Sequence, residues 1–117
     1  MPPMTGSSWA FGDIVLVSFP FTNQQGQKQR PAVVVSSAAY QQQRPDVILM
    51  PITSQVSARL HFGEVLVRDW QGAGLIAPGL VKPILFTAEA NLIRKHIGQM
   101  AAGDQAQVKA ALATLVG

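Results

Sequence analysis

The stretch GQKQRPAVVVSS, residues 26–37, decides how the chain is to be folded. Pro31 fixes its own φ and pushes Arg30 into an extended conformation. Val33, Val34 and Val35 then read as a buried strand. Arg30 therefore sits at the lip of a core strand, on a backbone that is held still. A charge in that place is either a solvated strand end or a guanidinium presented to an anion such as a phosphate. This stretch alone leaves both open.

On either side the chain continues in the same manner. FGDIVLVSFP (11–20) is a strand whose two alternating sets, Ile14, Leu16, Ser18 and Val15, Val17, Phe19, are both largely apolar, so both of its faces are buried. FTNQQGQKQ (21–29) reads as a polar loop around Gly26. AAYQQQR (38–44) is a short helical turn capped by Ser36 or Ser37 and ended by Pro45. DVILMPITS (46–54), FGEVLVRD (62–69), GLVKPILFT (79–87) and NLIRKHIGQM (91–100) are further strands, the third of them interrupted by Pro83. The period then changes. In GDQAQVKAALATLVG (103–117), Val108, Ala111, Leu112 and Leu115 recur at helical spacing, with Asp104 as N-cap and Gly117 after the last turn. Five or six short strands followed by one C-terminal helix make a mainly β fold, a small barrel or curled sheet.

Composition bounds what such a fold can do. The 117 residues are one domain by length, and 48% hydrophobic against 13% charged residues makes it a folded one. We divide it into a flexible N-terminal tail, residues 1–10, and a single domain, 11–117. With no cysteine there is no disulfide, thiolate metal site or thiol nucleophile. That usage fits a reducing cytosol, and MPPMTGSSWAFGD lacks the basic start and apolar run of a secretion signal, so a cytoplasmic protein is expected. A net charge of +3 and a pI near 9.8 allow an anionic partner without demanding one. No apolar run is long enough to span a bilayer.

Familiar catalytic signatures are missing. No glycine-rich phosphate loop precedes a helix, and no GxSxG occurs. His61 and His96 are far apart in sequence without acidic neighbours at metal-ligand spacing, and both read as solvated residues. What remains is a set of polar groups at the ends of apolar strands: Arg30, and Thr53, Ser54 and Gln55 in MPITSQ (50–55).

Those segments carry a resemblance. GDIVLVSFPFT (12–22), QKQRPAVVVSS (27–37) and DVILMPITSQV (46–56) follow one another in the order and at the distances found in the MazF/PemK family of bacterial toxins. GLIAPGLVKPILFT (74–87) and LIRKHIGQM (92–100) resemble that family's fifth and sixth strands, and the likeness extends over residues 11–116. It implies an SH3-like barrel with a C-terminal helix, a homodimer, and an endoribonuclease that needs no metal or cofactor. The implied substrate is single-stranded mRNA cut at short sequences, and the implied partner is a MazE-like antitoxin that covers the RNA groove. The family's arginine before proline falls on Arg30, and its catalytic threonine on Thr53.

Such an assignment is chemically sound. RNA supplies its own nucleophile, the 2′-hydroxyl, so the protein need only align it, move protons and stabilise charge on phosphorus. Arg30 offers a planar fork that matches phosphate oxygens, and the Thr53 hydroxyl can hold a non-bridging oxygen. Lys28 would attract the backbone, Phe19 and Phe21 would stack on splayed bases, and Ser54 and Gln55 would read base edges. The segment Phe19–Gln29 is expected to cover the groove. Lys82 stands where family members carry a basic residue, but Pro83 and Ile84 follow it in place of the spacer and aspartate that many of them have. Proton transfer from a carboxylate on that strand is thus not expected. Two other uses of the same fold compete: a gyrase-binding toxin of the CcdB type, and a catalytically inert member that binds RNA or antitoxin. The C-terminal ATLVG lacks the aromatic tip expected of the first, which would also leave Arg30 and Thr53 without a purpose.

Overall fold

The computed structural model describes residues 9–23 and 26–117, with the backbone alone for 19–23, 26 and 27. In chain order it comprises β1 (Asp13–Asn23), β2 (Gly26–Val34), α1 (Ala38–Gln43), β3 (Val47–Thr53), β4 (Val65–Val67), β5 (Gly79–Val81), β6 (Phe86–Ala88), a 3₁₀ turn (Ala90–Leu92), β7 (Ile93–Gln99) and α2 (Ala102–Val116). The strands form one antiparallel sheet in the order β4-β5-β3-β2-β1-β7, with β6 also on β3. This is the mainly β fold with a C-terminal helix that the sequence predicts.

The strand count is seven rather than five or six because the segment 79–87 is broken in the middle. β5 pairs Val81 with Ile52 and Leu80 with Thr53, while β6 pairs Phe86 with Leu49 and Ala88 with Val47, both on the same edge of β3. Between them Lys82 N still donates to Pro51 O at 2.9 Å, but Pro83 has no N–H, and Ile84 N turns back to Lys82 O at 2.8 Å. A second difference lies in the β1–β2 hairpin. The polar loop expected over 21–29 is mostly strand, since β1 runs to Asn23 and Gly26 pairs with it. Polarity marks lack of burial, not lack of pairing, and a two-stranded ribbon can be hydrogen-bonded while carrying polar side chains.

Both faces of the sheet are buried, as the doubly apolar pattern of β1 requires. Ile14, Val33, Met50, Ile52 and Val81 pack on one side with Val108 of α2. Val15, Val17, Ala32, Val34 and Leu49 pack on the other, covered by Phe86, Leu92, Ile93 and Trp9. Trp9 and Ala10, assigned to the tail from sequence, thus belong to the packed body: Ala10 N also donates to Asp13 Oδ2 at 2.9 Å. Residues 1–8 lie outside the described part. The ends of the curled sheet are brought together by packing, not by strand pairing. A Cβ on Gly98 of β7 would strike the Ala73 carbonyl, and one on Gly74 the Ile97 carbonyl, so the turn after β4 lies directly on β7.

Caps show which polar groups hold the connections. Ser37 is the N-cap of α1, its Oγ accepting from Tyr40 N at 3.1 Å. Ser36 is buried, donates to Gln41 Oε1 and accepts from Ile48 N at 3.2 Å. The cap of α2 is Ala101, not Asp104. Asp104 lies inside the first turn, 4% exposed, and accepts from Arg68 N at 3.1 Å and Asp69 N at 2.9 Å. It therefore ties the helix to the end of β4; the sequence shows an acid near a helix start but not the tertiary donors that claim it.

Candidate active site

The middle of β2, the end of β3 and one connecting segment form an open groove of about 190 Å³. β2 contributes Gln29, Arg30 and Pro31, the end of β3 contributes Ile52, Thr53 and Ser54, and the segment Leu75–Gly79 forms the opposite wall. The β2–β3 register explains the meeting. Ala32 pairs with Pro51, and the same count carried two residues further sets Arg30 across from Thr53. Arg30 lies in the middle of β2, paired with Val17 of β1 on its other side, and is exposed.

Thr53 is half-buried, and its Oγ1 accepts from Gln55 N at 3.1 Å. That bond orients the hydroxyl and leaves its O–H to donate elsewhere. Ser54 is exposed and lines the groove beside it. Of the remaining candidates with described side chains, Gln55, Lys28 and Lys82 do not line the groove. Gln55 is exposed just beyond it. Lys28 is exposed further out on the hairpin, across from Phe19 in the register. The side chains of Phe19 and Phe21 lie outside the described part. Lys82 follows β5 and is engaged elsewhere: its Nζ donates to Glu64 Oε2 at 2.5 Å. Glu64 also accepts from the His61 N–H at 2.8 Å. The backbone N–H first, and then the Lys82 ammonium, hold the Glu64 carboxyl at about 2 against an ordinary value of 4.5.

Sequence reasoning gave no role to the wall Leu75–Gly79. The signal was present in Ile76, an apolar residue between Gly74 and Pro78 that is 99% exposed in the fold. An aliphatic side chain left wholly in water beside an arginine and two hydroxyls suits the face of a nucleobase. His61 and His96 are exposed, as expected, and His96 Nε2 lies 3.5 Å from Asp13 Oδ1, away from the groove residues. Among the described residues no three His, Asp or Glu side chains gather as a metal site, and no helix is long and apolar enough to cross a membrane. A second cavity of about 310 Å³ is lined by Pro45, Asp46, Glu89, Ala90 and Asn91. Its lining carries two carboxylates, of which Asp46 lies 3.6 Å from Arg44 Nε, and no cation of its own, so the groove at Arg30 is the better candidate for an anionic substrate.

Comparison with known proteins agrees with the fold. The family model described as PemK-like, MazF-like toxin of type II toxin-antitoxin system matches residues 10–116. The chain belongs to that family. Among solved structures, MazF in a MazE-MazF complex from Deinococcus radiodurans superposes with a TM-score of 0.72 at 25% identity, over 92% of this chain and 95% of that one. An endoribonuclease from a mycobacterial species gives 0.74 at 18% identity, over 95% and 93% of the two chains. The Mycobacterium tuberculosis toxin MazF-mt6 gives 0.70 at 20%, over 88% and 94%. No curated protein sequence matches the chain.

Proposed function

We propose that this toxin is an endoribonuclease that cuts single-stranded mRNA at short sequences in the groove between β2 and the end of β3. The observation that supports the reading is that Arg30 and Thr53, twenty-three positions apart in sequence, line one groove. The nucleophile is the RNA's own 2′-hydroxyl. It attacks the adjacent phosphorus, the bond to the 5′-oxygen of the next nucleotide breaks, and a 2′,3′-cyclic phosphate and a 5′-hydroxyl are left. The 2′-hydroxyl proton is lost and the departing oxygen gains one.

Arg30 lies where a fork of N–H donors meets the non-bridging oxygens as charge builds on them, and Thr53 O–H donates to the same group. The apolar wall at Ile76 and Pro78 takes a base beside the scissile phosphate and keeps water from it. Lys28 adds attraction along the hairpin. With mRNA as substrate, the site of action is the cytoplasm. The solved relatives include an endoribonuclease in complex with its cognate antitoxin and MazE-MazF complexes. By that likeness a MazE-like antitoxin covers the groove of this chain, and the active form is a homodimer.

End-group analysis of a long single-stranded RNA tests the chemistry. Incubation with the purified protein should yield fragments that accept a 5′-phosphate from a polynucleotide kinase without prior dephosphorylation. Fragments bearing 5′-phosphates would overturn the mechanism. Intact RNA together with trapped topoisomerase–DNA complexes would favour a gyrase-binding toxin instead.

A further inference from the structure

We propose that the groove also joins RNA ends, by attack of a 5′-hydroxyl on a 2′,3′-cyclic phosphate that restores the phosphodiester; this rests on the ribonuclease reading of the groove. Of the described residues that line the groove, Arg30 alone has an ionisable side chain, and the wall Leu75–Gly79 carries no polar side chain. The chain's six carboxylates and two imidazoles are placed elsewhere. Asp13 accepts from Ala10 N and Gln99 Nε2, and His96 Nε2 stands 3.5 Å from it. Asp46 accepts from the Tyr40 hydroxyl, and Glu89 lines the second cavity with it. Glu64 is taken by Lys82 and the His61 N–H, and His61 Nδ1 lies 3.5 Å from the same carboxylate. Asp69 accepts from Gly72 N, and Asp104 from Arg68 N and Asp69 N. Within Phe19–Gln29, the segment expected to cover the groove, the sequence has no Asp, Glu or His.

Such a lining favours transfer between hydroxyls over hydrolysis. A general base works only within hydrogen-bond reach of the proton it takes, and no carboxylate or imidazole lines the groove among the described residues. Hydrolysis of the cyclic phosphate would put a water where the departing 5′-oxygen had been. Water and a 5′-hydroxyl are acids of similar strength, so without a base their placement decides between them. The 5′-hydroxyl belongs to a nucleotide held in the groove, whereas the wall Leu75–Gly79 has no side-chain group to hold a water. Holding a reactant in line can equal an effective concentration of about 10⁵ to 10⁸ M, far above that of water. The joining step needs no other reactant, because the ester bond is kept in the ring. The 5′-oxygen bonds to phosphorus, the bond from phosphorus to the 2′-oxygen breaks, the 5′-hydroxyl proton is lost to solvent and the 2′-oxygen gains one. Arg30 and the Thr53 O–H meet the same non-bridging oxygens in both directions, since cutting and joining share one transition state.

The test starts from the two fragments of an RNA that the wild type cuts, one labelled and ending in the 2′,3′-cyclic phosphate, the other beginning with the 5′-hydroxyl. The protein is in excess over the labelled fragment, and the other fragment is raised to millimolar concentration. Rejoined RNA should form in proportion to that concentration, and the final ratio of joined to cut RNA should be the same when the reaction starts from intact RNA. A 5′-phosphate on the second fragment should abolish joining. Arg30→Ala should slow joining and cutting by one common factor, at least about 100-fold. Without the second fragment, the cyclic phosphate should last as long with the protein as in buffer. If the wild type cuts RNA but its fragments never rejoin, the proposal is wrong and the ribonuclease reading stands. Opening of the cyclic phosphate to a monophosphate faster than in buffer overturns it equally. A wild type that does not cut RNA removes both.

Discussion

Lys82 Nζ stands 2.5 Å from Glu64 Oε2, and this pair, not a bound anion, accounts for the one lysine beside the break between β5 and β6. Glu64 is 4% exposed at its side chain and takes the His61 N–H on its other oxygen. Its carboxyl sits at about 2, below an ordinary 4.5. A carboxyl lowered by folding stabilises the fold fully above its unfolded value, and that contribution is lost as pH falls through the folded one. We therefore expect the urea midpoint to fall between about pH 4.5 and pH 2 in the wild type, and this part of the fall to vanish in Glu64→Gln, which should also be less stable at pH 7. Lys82→Ala should act on stability in the same direction and leave KM for RNA near the wild-type value.

Thr53 separates two functions of one hydroxyl. Its Oγ1 accepts from Gln55 N at 3.1 Å, and its O–H is the proposed donor to the substrate. We expect Thr53→Val, which keeps the β-branched shape, to lower kcat by about 100-fold, and Thr53→Ser to retain most of it, since one transition-state donor is worth about 100- to 1,000-fold. Single-turnover cleavage of the same RNA by both variants checks this. Similar losses in both would assign Thr53 to packing.

Asp104 carries a structural load away from the site. It gives two part-buried backbone N–H groups, of Arg68 and Asp69, their acceptors. Asp104→Ala leaves both without a partner and should cost about 2 kcal/mol or more in urea denaturation. Asp104→Asn retains one oxygen acceptor and should cost less.

Gly12 and Gly103 make a matched pair for backbone effects. Gly12 has φ +95° and no room for a Cβ beside the Gln105 side chain, while Gly103 in the first turn of α2 has open space around it. We expect Gly12→Ala to destabilise by more than about 1 kcal/mol and Gly103→Ala to stabilise by about 0.5 kcal/mol. Thermal unfolding of the two variants side by side is sufficient to check both signs.

The legible parts of the sequence were those where one physical cause dominates. Val15 and Val17 alternating with Ile14 and Leu16 announced a strand buried on both faces, and Val108, Ala111, Leu112 and Leu115 announced the helix that covers one of them. Thr53 is legible as a strand-end polar group, whereas Arg30 reads as the start of a strand and lies in the middle of β2, because the polar residues before it also pair with β1. Asp104 reads as an N-cap because its partners, Arg68 N and Asp69 N, are thirty-six and thirty-five positions away. The sequence shows Lys82 as the basic residue of its strand but not its partner Glu64, eighteen positions earlier, which the β4–β5 pairing brings to it. Ile76 is legible as an apolar residue between Gly74 and Pro78, but its exposure is set by the fold.

The most direct measurement is the rate at which the purified protein cleaves single-stranded RNA in EDTA, beside Arg30→Ala and Arg30→Lys. Arg30 is exposed, so neither change should alter folding. We expect cleavage by the wild type, a loss of at least about 100-fold in Arg30→Ala, and partial activity in Arg30→Lys, which keeps the charge and loses the fork. Folded Arg30→Ala that cuts as fast as the wild type would contradict the assignment of the groove between β2 and β3 as the active site.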